Sequence, residues 1–217
     1  SVLIFCNTKR ETQQVADKLR TARFSALALH GDFDQRDRTQ TLVRFSNRSA
    51  QILVATDVAA RGIDIDSLDA VINFHVASSP DIHLHRIGRT GRAGQTGIAI
   101  TLFSEKDAYK VAVLQESLGQ VIANESLPTL PAPISSPPKA TMVTILISAG
   151  KRHKMRPGDV LGALTGEHGI AGSQVGKIDI FNNRTYVAVN REVVKLAIKK
   201  LTDGKIKGRN FRVRAIF

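Results

Sequence analysis

Three arginines that recur at every third position carry the strongest chemical signal in the sequence. They lie among three glycines in residues 85–94, HRIGRTGRAG. Residues i and i+3 of a helical turn share a face, so two guanidinium groups can converge on one anion there. Each guanidinium presents a fixed fork of donors that matches phosphate oxygens. The stretch therefore indicates phosphate chemistry, against the ordinary alternative of a solvated basic turn.

A second candidate stretch, ATDVAARGIDI at residues 55–65, follows an apolar run of strand length. Thr56 and Asp57 are then expected at the carboxyl end of a strand, which is the ligand edge of a parallel sheet. Asp64 is the residue type that accepts hydrogen bonds from ribose hydroxyls at such an edge. The alternative stays open that Asp57 caps a helix and Asp64 occupies a turn.

The elements that must position these residues are short apolar runs alternating with helical patterns. The runs cover residues 2–6, 26–29, 52–55, 71–76 and 98–103. Such continuous runs are typical of strands buried on both faces of a parallel sheet. Helices are predicted after Thr8, which has a capping-box spacing to Glu11, from Gln35 to Phe45, and from Ser104. The predicted fold class is α/β, with a parallel sheet and flanking helices.

Charge and proline content divide the 217 residues into two parts. Five of the seven prolines fall in residues 128–138, and proline is excluded from helix interiors and central strands. Residues 1–138 contain 15 Lys and Arg against 14 Asp and Glu, whereas residues 139–217 contain 16 against 5. We therefore predict an α/β domain at 1–124, a proline-rich linker at 125–139 and a basic domain at 140–217. Charge asymmetry of this kind indicates a nucleic-acid or acidic-membrane partner for the basic domain.

The basic domain has a different order of elements. Strands are predicted at 142–147, 177–181, 185–189 and 210–217, with helices from Pro157 and from Arg191. This βαββαβ order is the ferredoxin-like layout that the RNA recognition motif (RRM) uses. Between the two candidate partners, the layout favours RNA.

Composition excludes several classes of protein. A hydrophobic fraction of 42% supports an ordinary core, and a single Cys excludes a disulfide scaffold and a Cys-rich zinc site. No metal site is expected, and no membrane partner, because no apolar run approaches the roughly 18 residues of a membrane span. The chain opens on a strand-like run instead of a signal peptide, and we expect it to be a piece of a longer protein.

Taken together, the motifs of the first part resemble the second RecA-like domain of superfamily 2 helicases, specifically of DEAD-box RNA helicases. The resemblance rests on five stretches in the family's order: LIFCNT at 3–8, HGD at 30–32, QRDR at 35–38, ATDVAARGID at 55–64 and HRIGRTGR at 85–92. Five ordered matches over one domain are highly specific. The resemblance implies a RecA-like fold for the first domain.

The resemblance also implies roles for residues around the nucleotide. Arg89 and Arg92 resemble the arginine fingers that stabilise charge on a transferring phosphoryl group. Asp64 resembles the residue that holds the nucleotide ribose, and Gly62 the glycine that lets the backbone approach it. These four residues are the candidate catalytic and nucleotide-binding set.

The resemblance implies that other motif residues couple the ATP state to the domain interface or bind RNA. His85 and Arg86 resemble residues that link the ATP state to the domain interface. Contacts to RNA sugar and phosphate, which are independent of base sequence, are implied for Thr8, Arg38, Thr56 and Arg61. Thr8 has an equal claim as a helix cap.

Two parts of the helicase machinery do not occur in the 217 residues. The sequence contains no Gly-x-x-x-x-Gly-Lys-Ser/Thr and no Asp-Glu-Ala-Asp. The family carries both in a preceding RecA-like domain, so ATP and Mg²⁺ are expected to bind jointly with that domain. The chain alone is expected to hydrolyse no ATP.

The basic domain resembles the unusual RRM of the DbpA subgroup of bacterial DEAD-box helicases. The similar stretches are KMRPGDVLGALTG at 154–166 and GKIKGR at 204–209. The resemblance implies a cytoplasmic protein whose partners are a 23S ribosomal RNA hairpin and the pre-50S particle, with a role in large-subunit assembly. A non-enzymatic RNA-binding adaptor or chaperone is the alternative, but it has no need of Arg89, Arg92 and Asp64 together.

Two routes of RNA binding stay open for the basic domain. Ordinary RRMs stack bases on aromatic side chains of the two central strands, but Thr144 lies where an aromatic residue is usual. Only Tyr186, with Arg184 beside it, is then expected on the sheet face. The basic segments favour a second route, through phosphate contacts from Lys151, Arg152, Lys154, Arg156, Lys205, Lys207 and Arg209.

Overall fold

The computed structural model describes residues 1–61, 68–91, 94, 96–129 and 136–217. The chain divides into two compact units. The first consists of Ser1–Thr41 with Gln51–Lys139, and the second of Leu42–Ala50 with Ala140–Phe217. The segment Leu42–Ala50 belongs to the second unit, although it lies within residues 1–124, which the sequence predicts as one domain.

The first unit is built on a parallel sheet, as predicted. Its described strands are β1 Val2–Phe5, β2 Ala26–Leu29, β3 Ile52–Ala55, β4 Ala70–Asn73 and β5 Ile98–Thr101, in the order β2-β3-β1-β4-β5. The central strands β1 and β3 are buried and paired on both sides. Because the strands are parallel, the segments that follow β1, β3 and β4 meet at one edge of the sheet.

Five α-helices lie in the described residues of this part of the sequence: α1 Lys9–Thr21, α2 Gln35–Ser46, α3 Asp57–Ala60, α4 Pro80–Ile87 and α5 Ala108–Leu118, and the residues of α2 from Leu42 onward belong to the second unit. Sequence periodicity did not predict α3 or α4 as separate helices. The α3 helix has only four residues, which is too short for a periodic pattern. The α4 helix begins at a Ser79 cap with Pro80 in its first turn, a favourable helix start.

The start of α1 departs from the predicted capping box. The Thr8 hydroxyl accepts the Glu11 backbone N–H at 3.2 Å, so Thr8 is the cap. The Glu11 side chain does not return to the N–H of Thr8. Its Oε2 accepts the backbone N–H of Asn7 at 3.2 Å, one residue earlier. The prediction of a cap at Thr8 is confirmed, and the prediction of a reciprocal box is wrong.

The second unit contains an antiparallel sheet of four described strands in the order β7-β8-β6-β9. Its elements are β6 Met142–Ile147, α6 Pro157–Thr165, β7 Val175–Ile180, β8 Thr185–Asn190, α7 Val194–Asp203 and β9 Val213–Ile216. The predicted βαββαβ order is confirmed. On one face of the sheet, Ile145 and Val187 pack in a core with Leu164 and Leu201 from the two helices.

The opposite face of this sheet is covered within the same unit. Val43 forms a buried cluster with Leu146 and Tyr186. Beside it, Asn47 Nδ2 donates to Thr144 Oγ1 at 2.9 Å. The Thr144 and Tyr186 side chains are therefore only 0% and 2% exposed. The centre of this face is a packed protein surface.

The proline-rich segment lies partly outside the described residues, because residues 130–135 are not described. The described residues 121–129 form neither helix nor strand. Among all described residues, no helix combines the length and the apolar character that crossing a membrane requires.

Candidate functional site

The centre of the first unit's candidate site is a buried ion pair between α4 and α3. Arg86 is 2% exposed, and its Nε and Nη2 donate to Oδ1 and Oδ2 of Asp57, both at 2.7 Å. The guanidinium carbon lies 5.2 Å from the centre of the Phe5 ring. This bidentate geometry is the strong form of an Arg–carboxylate pair. It fixes the segment after β3 against the helix that follows β4.

Two further bonds complete the surroundings of Arg86. Its Nη1 donates to the His75 carbonyl and its Nη2 to Asn7 Oδ1, each at 3.2 Å. Arg86 therefore contacts the ends of β1, β3 and β4 at once. Its donors are used inside the protein, which fits a residue that couples segments better than one that binds a phosphate directly.

A cavity of about 240 Å³ opens beside this pair. The predicted residues Arg61, His85 and Arg89 line it together with Asp57 and Arg86. The structure thus brings together arginines and a histidine that lie 24 to 28 residues apart in sequence, at the edge where the parallel strands end. The other three predicted nucleotide residues, Gly62, Asp64 and Arg92, lie outside the described residues.

Burial sets the protonation of two neighbouring groups. It lowers the pKa of His83, and the positive charge of Arg86 lowers it further. Neutral His83 therefore adds no charge next to Arg86 near neutral pH. Burial also raises the pKa of the Cys6 thiol to about 12. Cys6 is fully buried and stays a thiol, as expected for a core residue that is not a nucleophile.

The four predicted RNA contacts of the first unit lie near the ends of β1 and β3. Thr8 caps α1, and Thr56 caps α3 by accepting the Ala59 N–H at 3.4 Å. The Arg38 Nη2 donates to the Ala59 carbonyl at 2.7 Å, so this arginine contacts α3. Arg61 is exposed at the end of α3. Arg38, Thr56 and Arg61 are therefore gathered around one short helix, and Thr8 lies at a neighbouring strand end.

In the second unit, the basic segment 151–156 is held against the turn between β7 and β8. Lys151 N donates to the Phe181 carbonyl at 2.9 Å, and Arg152 N to the Asn182 carbonyl at 3.0 Å. Gly150 makes this approach possible, because a Cβ there would lie 2.0 Å from the Phe181 oxygen. The side chains of the segment stay exposed, apart from that of Met155. Half-buried Arg184 lies in the same turn.

A tight turn brings a second basic segment, residues 205–209, next to the first, residues 151–156. Lys207 and Gly208 have φ values of 55° and 76°, and the backbones of Ile206 and Arg209 are bonded to each other. Two central residues with positive φ are typical of a type I′ turn. The Lys207 Nζ donates to the Lys154 carbonyl at 3.0 Å, which joins segments about fifty residues apart.

Between the two segments lies a cavity of about 220 Å³ that is lined by both cationic and apolar side chains. Arg152, Lys154, Lys207 and Arg209 are among the residues that line it, and Lys205 is exposed just before the turn. The other lining residues are His153, Met155, Ile206 and Phe211. Met155 and Ile206 lie in the two stretches that resemble the DbpA subgroup, but none of the four was predicted as a site residue.

The structure does not place Tyr186 where it can stack on a base. Its ring lies in the cluster with Val43 and Leu146, and it contacts Phe181 edge to face at 5.7 Å between centroids. Stacking on the sheet face requires an exposed ring. Of the two open routes of RNA binding, the geometry favours the basic segments.

Comparison with known proteins agrees with this geometry. Residues 1–94 match the family model of the helicase conserved C-terminal domain, and residues 144–215 that of the DbpA RNA binding domain. The chain is 50% identical to the ATP-dependent RNA helicase DbpA of Escherichia coli over 216 residues, which is 100% of this chain and 47% of that protein. The chain belongs to the DEAD-box proteins and carries a DbpA RNA binding domain.

Other DbpA-type and DEAD-box proteins are also similar. The DbpA of Bacillus subtilis is 29% identical over 98% of this chain and 49% of its own length. The structure also resembles the crystal structure of the E. coli DEAD-box protein SrmB bound to regulator of ribonuclease activity A, with a TM-score of 0.56 and a sequence identity of 35%. The similarity covers 58% of this chain and 74% of that one. The chain spans about half the length of the DbpA relatives it matches.

The lining of the first-unit cavity can be compared with the needs of a nucleotide. Arg89 presents a guanidinium group there, which matches phosphate oxygens, whereas Arg61 in the same lining is a candidate RNA contact. Its lining carboxylate, Asp57, already accepts two bonds from Arg86 and is not placed as a ligand for Mg²⁺. The described residues therefore fit the phosphates of a nucleotide and leave the metal to other residues.

Sequence reasoning missed the partners of Arg86. Asn7, Glu11 and His75 were not predicted as site residues, although they surround the motif arginine directly or through one bond. Their spacing of up to 79 residues from Arg86 carries no periodic signal. Only the topology of a parallel sheet, which gathers the strand ends, relates them.

Proposed function

We propose that the chain is part of an ATP-dependent RNA helicase, in which its first unit completes a nucleotide site and its second unit binds structured RNA. One observation carries the proposal. The cavity at the strand ends gathers Arg61, His85 and Arg89 around the buried Arg86–Asp57 pair. A binding module without nucleotide chemistry has no evident need for such a set.

Each residue of the first unit has a distinct part in this proposal. ATP supplies the phosphoryl group whose transfer drives the cycle. Arg89, together with Arg92, provides the guanidinium groups that stabilise charge on that group, and Gly62 and Asp64 bind the ribose. Arg86 keeps the segments of the site in register through its bonds to Asp57, Asn7 and His75. His85 acts beside it at the interface with a preceding ATP-binding domain, which supplies the Mg²⁺ site.

RNA binding in the first unit is directed at the backbone of the strand. Hydroxyl and guanidinium donors recognise sugar and phosphate without reading bases. Thr56 and Arg61 lie at the two ends of α3, and Arg38 contacts that helix. We assign these residues, with Thr8, to one sequence-independent path for RNA.

The second unit gives the enzyme its target. The resemblance to DbpA-type helicases supports a 23S ribosomal RNA hairpin, in a pre-50S particle in the cytoplasm, as that target. The two basic segments and their cavity support phosphate contacts around an unpaired part of the RNA, because the rings of His153 and Phe211 in the cavity lining suit an unstacked base. The role that follows is remodelling of ribosomal RNA during large-subunit assembly.

Substitution of Arg89 by Ala in the full-length protein tests the proposal. We expect RNA-stimulated ATP hydrolysis to fall by about 100-fold or more, because an arginine finger contributes 10³–10⁵ in kcat in related phosphoryl transfer. Hairpin affinity is expected to stay unchanged. Arg20→Ala is the matched control, since Arg20 forms only an exposed pair with Asp17 on α1. Full ATPase activity of the Arg89 variant would remove the proposed mechanism.

A further inference from the structure

A closed ring of hydrogen bonds connects the motif arginine to the start of α1 through Glu11 and His75, which have no part in the proposed function. Glu11 Oε2 accepts the Asn7 backbone N–H at 3.2 Å, and Glu11 Oε1 lies 2.5 Å from Nε2 of His75. Arg86 closes the ring by donating to the His75 carbonyl and to the Asn7 side chain. The ring thus contains Asn7, Glu11, His75 and Arg86.

The ring determines the position of the segment that precedes α1. Asn7 is held twice, through its backbone N–H by Glu11 and through its side chain by Arg86. Thr8 follows immediately, and its hydroxyl oxygen accepts the backbone N–H of Glu11. A movement of Arg86 is therefore transmitted to Thr8 over one residue, and a movement of Thr8 returns by the same bonds.

The Glu11–His75 contact orients the segment before α1 more than it stabilises the fold. The two side chains are 23% and 44% exposed, so water can replace much of their mutual bond. Polar contacts that water can reach contribute little to folding. By contrast, Arg86 in its pair with Asp57 is only 2% exposed, so its charge depends on partners within the protein. What the outer bond adds is a single orientation for the Asn7 backbone.

We propose that Glu11 and His75 are positioning residues that hold the Asn7–Thr8 segment in register with Arg86. The proposal rests on the proposed function, in which Thr8 contacts RNA and Arg86 belongs to the nucleotide site. In that setting the ring makes the RNA contact at the end of β1 and the arginines of α4 parts of one rigid unit. Removal of either outer residue frees the RNA contact without removing any group that touches ATP.

His75→Ala in the full-length protein tests the role by separating RNA affinity from turnover. We expect the RNA concentration for half-maximal ATPase stimulation to rise about fivefold, with kcat at saturating RNA within about twofold, because one hydrogen bond to a charged group is lost. His75→Gln retains a donor near the position of Nε2 and is expected to restore most of the affinity. Glu116→Ala, an exposed glutamate on α5, is the matched control for Glu11→Ala.

A second measurement, on the 217-residue chain, tests the ring without RNA. Backbone amide hydrogen exchange at Asn7 is expected to become severalfold faster in His75→Ala and Glu11→Ala. Unchanged exchange, or an equal loss of RNA affinity in His75→Gln and His75→Ala, would overturn the positioning role. A different outcome is faster exchange at Asn7 with unchanged RNA affinity in His75→Ala, Glu11→Ala and Thr8→Ala. That outcome would contradict Thr8 as an RNA contact, and therefore the proposed function and not the ring.

Discussion

Arg86 illustrates how a single buried charge can organise a site. Its guanidinium has a carboxylate, a carbonyl and a side-chain amide oxygen as partners, and a phenyl ring below it. Burial of a charge is tolerated only when such partners replace water. The sequence motif predicted phosphate chemistry for Arg89 and Arg92 and a coupling role for Arg86, and in the structure Arg86 holds three segments of the protein together. The chemistry of the cavity is left to its neighbours, among which Arg89 lines the wall.

Replacement of Asp57 by Ala tests, through the free energy of unfolding, whether Arg86 holds the protein together. It leaves the Arg86 charge buried without its main partner, so we expect the free energy of unfolding to fall by about 3 kcal/mol or more. Urea unfolding of the 217-residue chain, followed by circular dichroism, measures the loss. Asp17→Ala is the control, because its exposed pair with Arg20 is expected to contribute less than about 1 kcal/mol. Equal losses in the two variants would contradict a structural role for Arg86.

At the scale of elements, the basic surface of the second unit depends on two short backbone devices. Gly150 lets the segment 151–156 approach the β7–β8 turn, and the positive-φ turn at Lys207 and Gly208 carries the second segment to the first. Neither device is part of a regular helix or strand. Both present cationic side chains outward while an apolar residue, Met155 or Ile206, faces inward.

Paired charge removal in this surface is expected to change the salt dependence of RNA binding. Lys151→Ala with Arg152→Ala removes two cations that we place on phosphates. The slope of log affinity against log salt is then expected to become shallower by about 1.4 to 1.8, from counterion release at two contacts. Filter binding of a ribosomal hairpin by the chain, at several salt concentrations, measures the slope.

The control for that experiment has the same change in net charge. Lys195→Ala with Lys199→Ala removes two exposed lysines from α7, which lies outside the two basic segments. The slope and affinity of this variant are expected to stay close to those of the parent chain. If both double variants flatten the slope equally, the RNA responds to overall charge and the basic segments are not a specific site.

The sequence was sufficient to predict most elements, for reasons that are local. Strands β2, β3 and β6 have the predicted bounds, because continuous apolar runs end at polar residues. The order of the strands in each sheet, the four-residue α3 and the return of Glu11 to Asn7 depend on chain-distant packing or on one hydrogen bond. Periodicity cannot contain such information. The burial of Tyr186 is another case, since its place on a strand face was predictable and the residues that cover it were not.

At the scale of the whole molecule, charge and chemistry are divided between the two units. The near-neutral first part contains the cavity with Arg61 and Arg89, whereas residues 139–217 contain 16 Lys and Arg against 5 Asp and Glu. Long-range attraction of RNA scales with such net charge, while stabilisation of a phosphoryl group requires a few placed donors. In the function proposed above, this division permits one part to hold RNA while the other takes part in a nucleotide cycle.

This division leads to a prediction for the 217-residue chain by itself. We expect it to bind the ribosomal hairpin with the salt dependence of a basic protein, and to hydrolyse no ATP above background with or without RNA. The reason is that the arginines act on a phosphoryl group that a P-loop and a metal-binding acidic motif must hold, and the sequence contains neither. Phosphate release at saturating RNA and Mg²⁺, measured beside hairpin binding on one preparation, tests both halves.

Addition of a separate P-loop domain of the same protein is expected to restore some turnover, and this turnover should disappear with Arg89→Ala. RNA-stimulated hydrolysis by the chain alone would place a complete ATP site within these residues and contradict the division of labour.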